Sequence, residues 1–254
     1  MKLFFRKSGE GRPLIILHGL FGMSDNWMTL SRLFTDNGFQ VYAVDARNHG
    51  RSPHSDEFNY PKMSEDLIEL MDDENISAAT VIGHSMGGKT AMWLACKHPD
   101  RVSKLISADI SPKYYEPHHQ TVFAAIHGVD LLQLTSRKEA EMGLREKLHD
   151  EDTIQFLLKN LYWDETEKLA WRFYLTGIEK NIGSIGEALP AEYRYNGKTL
   201  FLRGEKSGYV TAEDEPEIIK HFSKAMISTV SNAGHWIHAE NPKEFMDDVL
   251  SFLK

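Results

Sequence analysis

Short apolar runs alternate with amphipathic stretches along most of the chain. The apolar runs predict buried strands at six places, residues 14–17, 41–44, 79–82, 102–106, 199–202 and 225–230. The stretches between them predict helices at about 25–34, 63–71, 88–97, 215–222 and 242–253, because each places its apolar side chains on one helix face. Strands that alternate with helices are typical of βαβ units, so the pattern predicts an α/β fold with a mostly parallel, twisted sheet flanked by helices.

The strand pattern disappears between residues 112 and 196. This segment contains helix-forming stretches at 137–148 and 152–161 and several aromatic side chains, namely Trp163, Trp171, Phe173 and Tyr174. About eighty residues of helix inserted between two strands are typical of a lid over a site. We therefore predict a core domain of residues 1–111 and 197–254 with a helical cap at 112–196. The alternative is that these helices only extend the α/β domain.

Composition narrows the class of protein. A chain of 254 residues with 41% hydrophobic and 26% charged residues is long enough for one large α/β domain. Its formal net charge of -8 argues against a nucleic-acid partner, which requires concentrated Lys and Arg. Cys96 is the single cysteine, so no intrachain disulfide forms. With no apolar run of membrane-spanning length and no apparent signal peptide, we expect a cytoplasmic monomer or small homo-oligomer.

Residues 83–90 match two unrelated catalytic motifs. They read Gly-His-Ser-Met-Gly-Gly-Lys-Thr. The first five fit G-x-S-x-G, the sharp turn between a strand and a helix that exposes a nucleophilic serine, here Ser85. All eight fit G-x-x-x-x-G-K-[ST], a phosphate-binding loop in which Lys89 would contact phosphates and Thr90 a magnesium ion. Both motifs need a strand before them and a helix after them, so local sequence leaves both open.

More distant segments favour the serine nucleophile. Ser85 needs a base to take its proton, and His235 follows the last predicted strand on a loop beginning at Gly234. His238 is the alternative base, and the two histidines lack the further ligands of a metal site. The developing negative charge on a substrate carbonyl needs N–H donors, which we assign to the backbone amides of Leu20 and Met86, with Phe21 as the alternative to Leu20. This chemistry requires neither cofactor nor metal.

Four motifs in register resemble the α/β-hydrolase superfamily, and specifically its small YbfF-type esterase branch. They are His-Gly-Leu-Phe-Gly at 18–22, Asp-Ala-Arg-Asn-His-Gly-Arg-Ser at 45–52, Gly-His-Ser-Met-Gly-Gly at 83–88 and Gly-His-Trp at 234–236. The resemblance implies an eight-stranded type of sheet lacking one early strand, a helical cap, and cofactor-free hydrolysis of small-molecule esters or thioesters, acyl-CoA included. It also implies that residues 45–52 brace the nucleophile turn and are structural.

The acid that orients the base departs from the superfamily pattern. The aspartate there commonly follows the strand after the cap, whereas this chain has Ser207 at that place. Asp109, at the end of the strand after the nucleophile helix, is the leading candidate, and the resemblance implies that such a relocation characterises the branch. Glu205 is the alternative acid. The alternative without a catalytic role is that Asp109 is an N-cap or turn residue before Pro112.

The substrate pocket is less clearly marked. Six side chains are predicted to line it, namely Phe21, His84, Phe123, Trp171, Tyr209 and Trp236. Further apolar residues of the cap could hold an acyl chain, although such stripes are more often core. Lys113, His118, His119 and Arg172 are candidates to meet a coenzyme A phosphate. The sequence also leaves open a ligand receptor that keeps the catalytic residues and turns over slowly.

Overall fold

The computed structural model describes the whole chain, Met1–Lys254. Its strands are β1 (Phe5–Ser8), β2 (Arg12–Leu17), β3 (Phe39–Val44), β4 (Ala79–His84), β5 (Val102–Ala108), β8 (Lys198–Gly204) and β9 (Ala225–Val230), with β6 (Leu161–Trp163) and β7 (Leu169–Trp171) in a separate hairpin. The first seven form one sheet in the order β1-β3-β2-β4-β5-β8-β9, and all neighbouring strands are parallel except β1 and β3. The six predicted strands are therefore confirmed.

Helices cover both faces of the sheet. They are α1 (Met28–Asp36), α2 (Tyr60–Asp73), α3 (Met86–Lys97), α9 (Glu215–His221), α10 (Ile237–Glu240) and α11 (Pro242–Leu253). Successive residues of β2 point to opposite faces: Ile15 and Leu17 pack with α2 and α3, whereas Leu14 and Ile16 pack with α1 and α11. A strand buried on both faces reads as a continuous apolar run, which is why these strands were predictable.

The segment between β5 and β8 contains mostly helix. It forms α4 (Gln120–His127), α5 (Arg137–Arg145), α6 (Glu151–Leu158), α7 (Leu175–Lys180) and α8 (Ile182–Gly186). The expectation that it holds no strands was wrong, because β6 and β7 pair as an antiparallel hairpin. Each of these strands has three residues, too few for a visible alternation. The turn between them is held by the Asp164 carboxylate, which accepts the Thr166 and Lys168 amides, and contains no glycine as a signal.

Strand β1 was also missed. It pairs antiparallel with β3 at the edge of the sheet, with Phe5 opposite Val44. Charged side chains at Arg6 and Lys7 suit an edge strand but obscure the apolar pattern.

None of the helices combines the length and apolar composition that a bilayer-spanning helix requires.

Candidate active site

Ser85 lies in a strained turn between β4 and α3. Its φ of 52° and ψ of -120° lie in a region that non-glycine residues rarely adopt, and its amide donates to the carbonyl of Ala108 at 3.1 Å. The turn is possible because its glycines allow close backbone approach. A Cβ on Gly87 would lie 2.5 Å from the carbonyl oxygen of Leu17, and one on Gly83 would lie 2.2 Å from that of Gly87. This is the geometry expected of a nucleophile turn.

Asp109 is hydrogen-bonded to His235. It follows β5, has a φ of 50°, and is fully buried. His235 Nδ1 donates to Asp109 Oδ2 at 2.7 Å, and His235 Nε2 has no hydrogen-bond partner in the chain. The Gly204 amide donates to Asp109 Oδ1 at 3.0 Å and the Ser207 hydroxyl donates to Oδ2. These contacts hold the carboxylate in one orientation against the imidazole.

The alternative acid lies elsewhere. Glu205 is exposed, and its Oε2 accepts the Asn232 amide at 2.7 Å. Ser207, at the place where the sequence lacks an aspartate, instead supports the carboxylate of Asp109. The structure therefore brings Asp109, and not Glu205, to His235.

Ser85 and His235 line one cavity of about 290 Å³, called the large cavity because a smaller one also borders Ser85. No hydrogen bond joins Ser85 Oγ to His235 Nε2 in the structure. Catalytic hydrogen bonds are often long without substrate and shorten when it binds. The cavity meets the carboxyl ends of β2, β4, β8 and β9, because parallel strands end at the same edge of a sheet.

Two free backbone amides lie next to Ser85. Met86 is the first residue of α3, where amides have no partner within the helix, and its N–H makes no hydrogen bond to the chain. The Leu20 N–H also has no partner. The Phe21 N–H, in contrast, donates to His49 Nε2 at 3.1 Å. The Phe21 amide, the alternative donor, therefore already has a hydrogen-bond partner, whereas the Leu20 and Met86 amides have none.

The loop at residues 45–52 holds the Leu20 turn in place. His49 Nδ1 donates to the Arg47 carbonyl at 2.9 Å, which leaves its Nε2 free to accept the Phe21 amide. Burial lowers the pKa of His49 to about 3, so the ring stays neutral. Arg47 in turn forms a buried ion pair with Asp66 at 2.6 Å. A chain of buried polar contacts thus connects this loop to the turn that follows β2.

Two further histidines border His235. His84 Nε2 donates to the backbone carbonyl of His235 at 2.8 Å, and burial lowers the pKa of His84 well below its ordinary value. His238, the alternative base, stacks on Trp27 with ring centroids 4.2 Å apart. Burial lowers the pKa of His238 to about 3, and its Nδ1 has no partner. A ring with so low a pKa is a poor base at neutral pH, and it makes no contact with Asp109.

We expect the protonation of His238 to make the chain less stable in acid. Its pKa is about 3 in the folded chain and 6.5 ordinarily, so between these values the unfolded chain binds more protons. Stability therefore falls as the pH decreases through that window, by up to about 1.4 kcal/mol per pH unit for this group. In His238→Gln this contribution is lost. The free energy of unfolding, measured by urea denaturation between pH 7 and 4.5, should fall less steeply than in the wild type.

The matched control is His149→Gln, which removes an exposed histidine and should keep the wild-type slope. Equal slopes for His238→Gln and the wild type would contradict the description of His238 as a neutral buried side chain.

The predicted pocket residues divide into two groups. Phe21, His84, Tyr209 and Trp236 line the large cavity. Phe123 and Trp171 do not, which corrects the expectation for both. Phe123 packs edge-on against Phe21 at 5.9 Å, and Trp171 stacks on Phe173 at 5.2 Å, so both are packing residues of the segment between β5 and β8. Several residues that do line it carry no motif by which they could be predicted, namely Asn26, Trp27, Val122, Thr153, Phe156 and Leu157.

Of the four candidates for phosphate contacts, two line the large cavity and two do not. His118 and His119 line the cavity. Lys113 instead binds Asp214 at 2.7 Å, and Arg172 lies over the ring of Tyr162 at 4.3 Å. No Lys, Arg, Asp or Glu lines the large cavity.

Tyr209 contacts the catalytic candidate His235 directly. The two rings are stacked with centroids 3.8 Å apart, and the Tyr209 hydroxyl lies 2.7 Å from His118 Nε2. The Tyr209 amide donates to Ser207 Oγ at 3.2 Å. Tyr209 thus packs against one face of the His235 ring and connects it to His118, in the segment between β5 and β8.

The side chains of Lys89 and Thr90 donate hydrogen bonds to backbone carbonyls. Lys89 is buried, and its ammonium donates to the carbonyls of Lys113, at 2.6 Å, and Glu187. The Thr90 hydroxyl donates to the Met86 carbonyl at 3.0 Å. Neither side chain is free to meet a nucleotide, so this geometry does not support a phosphate-binding loop. Lys89 instead fastens α3 to both ends of the segment inserted after β5.

Comparison with known proteins identifies the group to which this architecture belongs. The family model for the alpha/beta hydrolase fold matches residues 12–242. The chain is 37% identical over 257 residues to the sn-1-specific diacylglycerol lipase ABHD11 of Danio rerio, covering 98% of this chain and 81% of that protein. It is 36% identical over 244 residues to esterase YbfF of Escherichia coli, covering 95% and 92%. Among solved structures, a marine microorganism esterase superposes with a TM-score of 0.96 at 43% identity, covering 99% of both chains.

Proposed function

Because the chain belongs to the α/β-hydrolase family, we propose that it is a serine esterase that cleaves small-molecule carboxylic esters through an acyl-enzyme on Ser85. The observation that carries this proposal is the 2.7 Å hydrogen bond from His235 Nδ1 to buried Asp109, beside a serine in a strained turn. Nucleophile, base and acid are the three parts that acyl transfer needs.

In the first half of the reaction, Ser85 Oγ bonds to the carbonyl carbon while His235 Nε2 takes the hydroxyl proton. The carbonyl oxygen becomes negative and accepts hydrogen bonds from the Leu20 and Met86 amides, which have no other partners. Asp109 stabilises the imidazolium that forms on His235. When the intermediate collapses, the bond to the leaving oxygen breaks, and His235 gives its proton to that oxygen.

In the second half, water replaces the departed alcohol. His235 Nε2 takes a proton from the water, whose oxygen bonds to the acyl carbon. The resulting oxyanion is held by the same two amides. Its collapse breaks the bond to Ser85, which recovers its proton from His235, and the carboxylic acid leaves. No cofactor or metal takes part in this scheme.

We propose that residues 112–196 act as a cap over the site. Six of the residues that line the large cavity come from this segment: His118, His119, Val122, Thr153, Phe156 and Leu157. Esters fit the cavity better than acyl-CoA thioesters, because no Lys or Arg lines it to neutralise the coenzyme phosphates. The proposed substrates are therefore uncharged esters, with thioesters as the weaker class.

The test is steady-state hydrolysis of p-nitrophenyl butyrate and butyryl-CoA by the purified chain. We expect many turnovers per chain on the ester and a kcat/KM for the thioester at least about tenfold lower. A receptor would release less than one product per chain and would respond to ligand only by a rise in Tm. That result, or a strong preference for butyryl-CoA, would contradict the proposal.

A further inference from the structure

Ser85 lies between two cavities of unequal size. The large cavity, of about 290 Å³, includes His235, Trp236 and His238 in its wall. The small cavity, of about 40 Å³, includes Met86 but not His235. Ser85 is shared by both, so a tetrahedral carbon bonded to its Oγ can extend one substituent into each.

From this geometry, and resting on the proposed function, we infer that the substrate's acyl group occupies the small cavity and its leaving group occupies the large one. The reaction mechanism determines which part of the substrate lies in which cavity. The leaving oxygen takes its proton from His235, so it must lie within hydrogen-bond distance of that ring. His235 borders only the large cavity. The acyl chain carries no group that exchanges a proton, and it is left with the cavity on the Met86 side.

The size of the small cavity limits the acyl chain. A water-sized group needs about 10–15 Å³ of such space, so 40 Å³ holds roughly three of them. This fits an acyl chain from acetyl to butyryl. The wall contains several apolar side chains, among them Leu20, Ile110, Ile182 and Ile185, and also Glu116, His118 and His119. The apolar side chains favour a hydrocarbon chain, and the carboxylate of Glu116 disfavours the second negative charge of a dicarboxylic one.

The far wall of the small cavity is held by hydrogen bonds. The Tyr60 hydroxyl donates to the carbonyl of Ile185 at 2.5 Å, and the Tyr115 hydroxyl donates to that of Tyr209 at 2.7 Å. The Lys89 ammonium lies 4.9 Å from the Tyr115 ring and 5.9 Å from the Tyr60 ring. Because both tyrosines are fixed in this way, the wall cannot move aside for a longer chain without breaking buried polar contacts.

The large cavity suits a bulkier leaving group. It combines aromatic and aliphatic side chains with neutral polar ones at Asn26, Thr153 and His119. The substrate class is therefore a short-chain ester of a larger, partly polar alcohol.

The experiment compares p-nitrophenyl acetate, butyrate and octanoate, which share one leaving group. For the wild type we expect kcat/KM on octanoate at least about tenfold below that on butyrate. Ile182→Ala shortens a side chain in the wall of the small cavity. It should raise the ratio of kcat/KM on octanoate to kcat/KM on butyrate by about tenfold. Ile185→Ala serves as the second variant if Ile182→Ala does not fold, as judged by Tm.

The matched control is Phe156→Ala, which enlarges only the large cavity. It should leave the octanoate-to-butyrate ratio within about twofold of the wild type and change the relative rates of methyl and naphthyl butyrate. An acyl ratio that responds to Phe156→Ala and not to Ile182→Ala would overturn the assignment of the two cavities while leaving the esterase proposal standing. Failure to hydrolyse any of these esters would overturn both.

Discussion

Replacing Ser85 with alanine is expected to lower kcat for p-nitrophenyl butyrate by about 10⁶-fold, to the residual rate that substrate binding and the free amides provide. The loss is large because no acyl-enzyme can form without Oγ, and His235 then has no hydroxyl to deprotonate. Alanine keeps the Cβ that the turn already accommodates at a φ of 52°. Folding and Tm should therefore stay close to those of the wild type.

The control for this prediction is Ser77→Ala. Ser77 is exposed and its hydroxyl makes no hydrogen bond in the structure, so this variant should keep full activity. Ser85→Ala that retains more than about one per cent of the wild-type kcat would contradict covalent catalysis at this serine.

Replacing Asp109 with asparagine is expected to lower kcat by about 10⁴-fold. Asparagine keeps the shape of the side chain but removes the negative charge that, in the proposed mechanism, stabilises the imidazolium. Its amide can also present an N–H to His235 Nδ1, which would move the proton of the neutral ring to Nε2 and block the base. The change in kcat should exceed the change in KM, because Asp109 is buried behind His235 and does not line either of the two cavities.

Glu205→Gln is the matched control, because it removes the charge of Glu205, the alternative acid that lies shortly before Ser207 in the sequence. Glu205 is exposed and contacts the Asn232 amide, so we expect activity within about twofold of the wild type. The opposite result, with activity kept in Asp109→Asn and lost in Glu205→Gln, would transfer the role of the acid to Glu205.

The parts of the fold that could be predicted from sequence are those buried on both faces. Strands such as β2 and β4 are continuous apolar runs because helices cover each side of them. Once the strands are parallel, their carboxyl ends share one edge, so residues that follow different strands are expected to meet there. Ser85 after β4, Asp109 after β5 and His235 after β9 follow this rule.

Other features depend on tertiary contacts that leave no local pattern. The hairpin of β6 and β7 is too short for a periodic signal. Aromatic side chains between β5 and β8 give the same sequence pattern whether they face a cavity or the core. Phe123 and Trp171 belong to the second kind. Lys89 completes a phosphate-loop motif in the sequence, yet its nearest partners are carbonyls about 24 and 98 positions away along the chain.

Ser207 lies at the position where the superfamily commonly has its aspartate, and its contact shows what the serine does there. Its serine hydroxyl donates to Asp109 Oδ2, the oxygen that also accepts from His235. A carboxylate at Ser207 would bring a second negative charge to the same buried place and would repel Asp109. In the proposed mechanism Asp109 is therefore the acid, and Ser207 supplies a hydrogen bond to its carboxylate.

Labelling with an alkyl fluorophosphonate tests the central claim most directly, because this reagent phosphonylates a serine only where a base activates it. Intact-mass measurement and peptide mapping give the number and the place of the adducts. The account predicts one adduct per chain, on Ser85, formed in step with the loss of ester hydrolysis and absent from Ser85→Ala. An adduct on another residue, or full hydrolytic activity in the labelled chain, would contradict it.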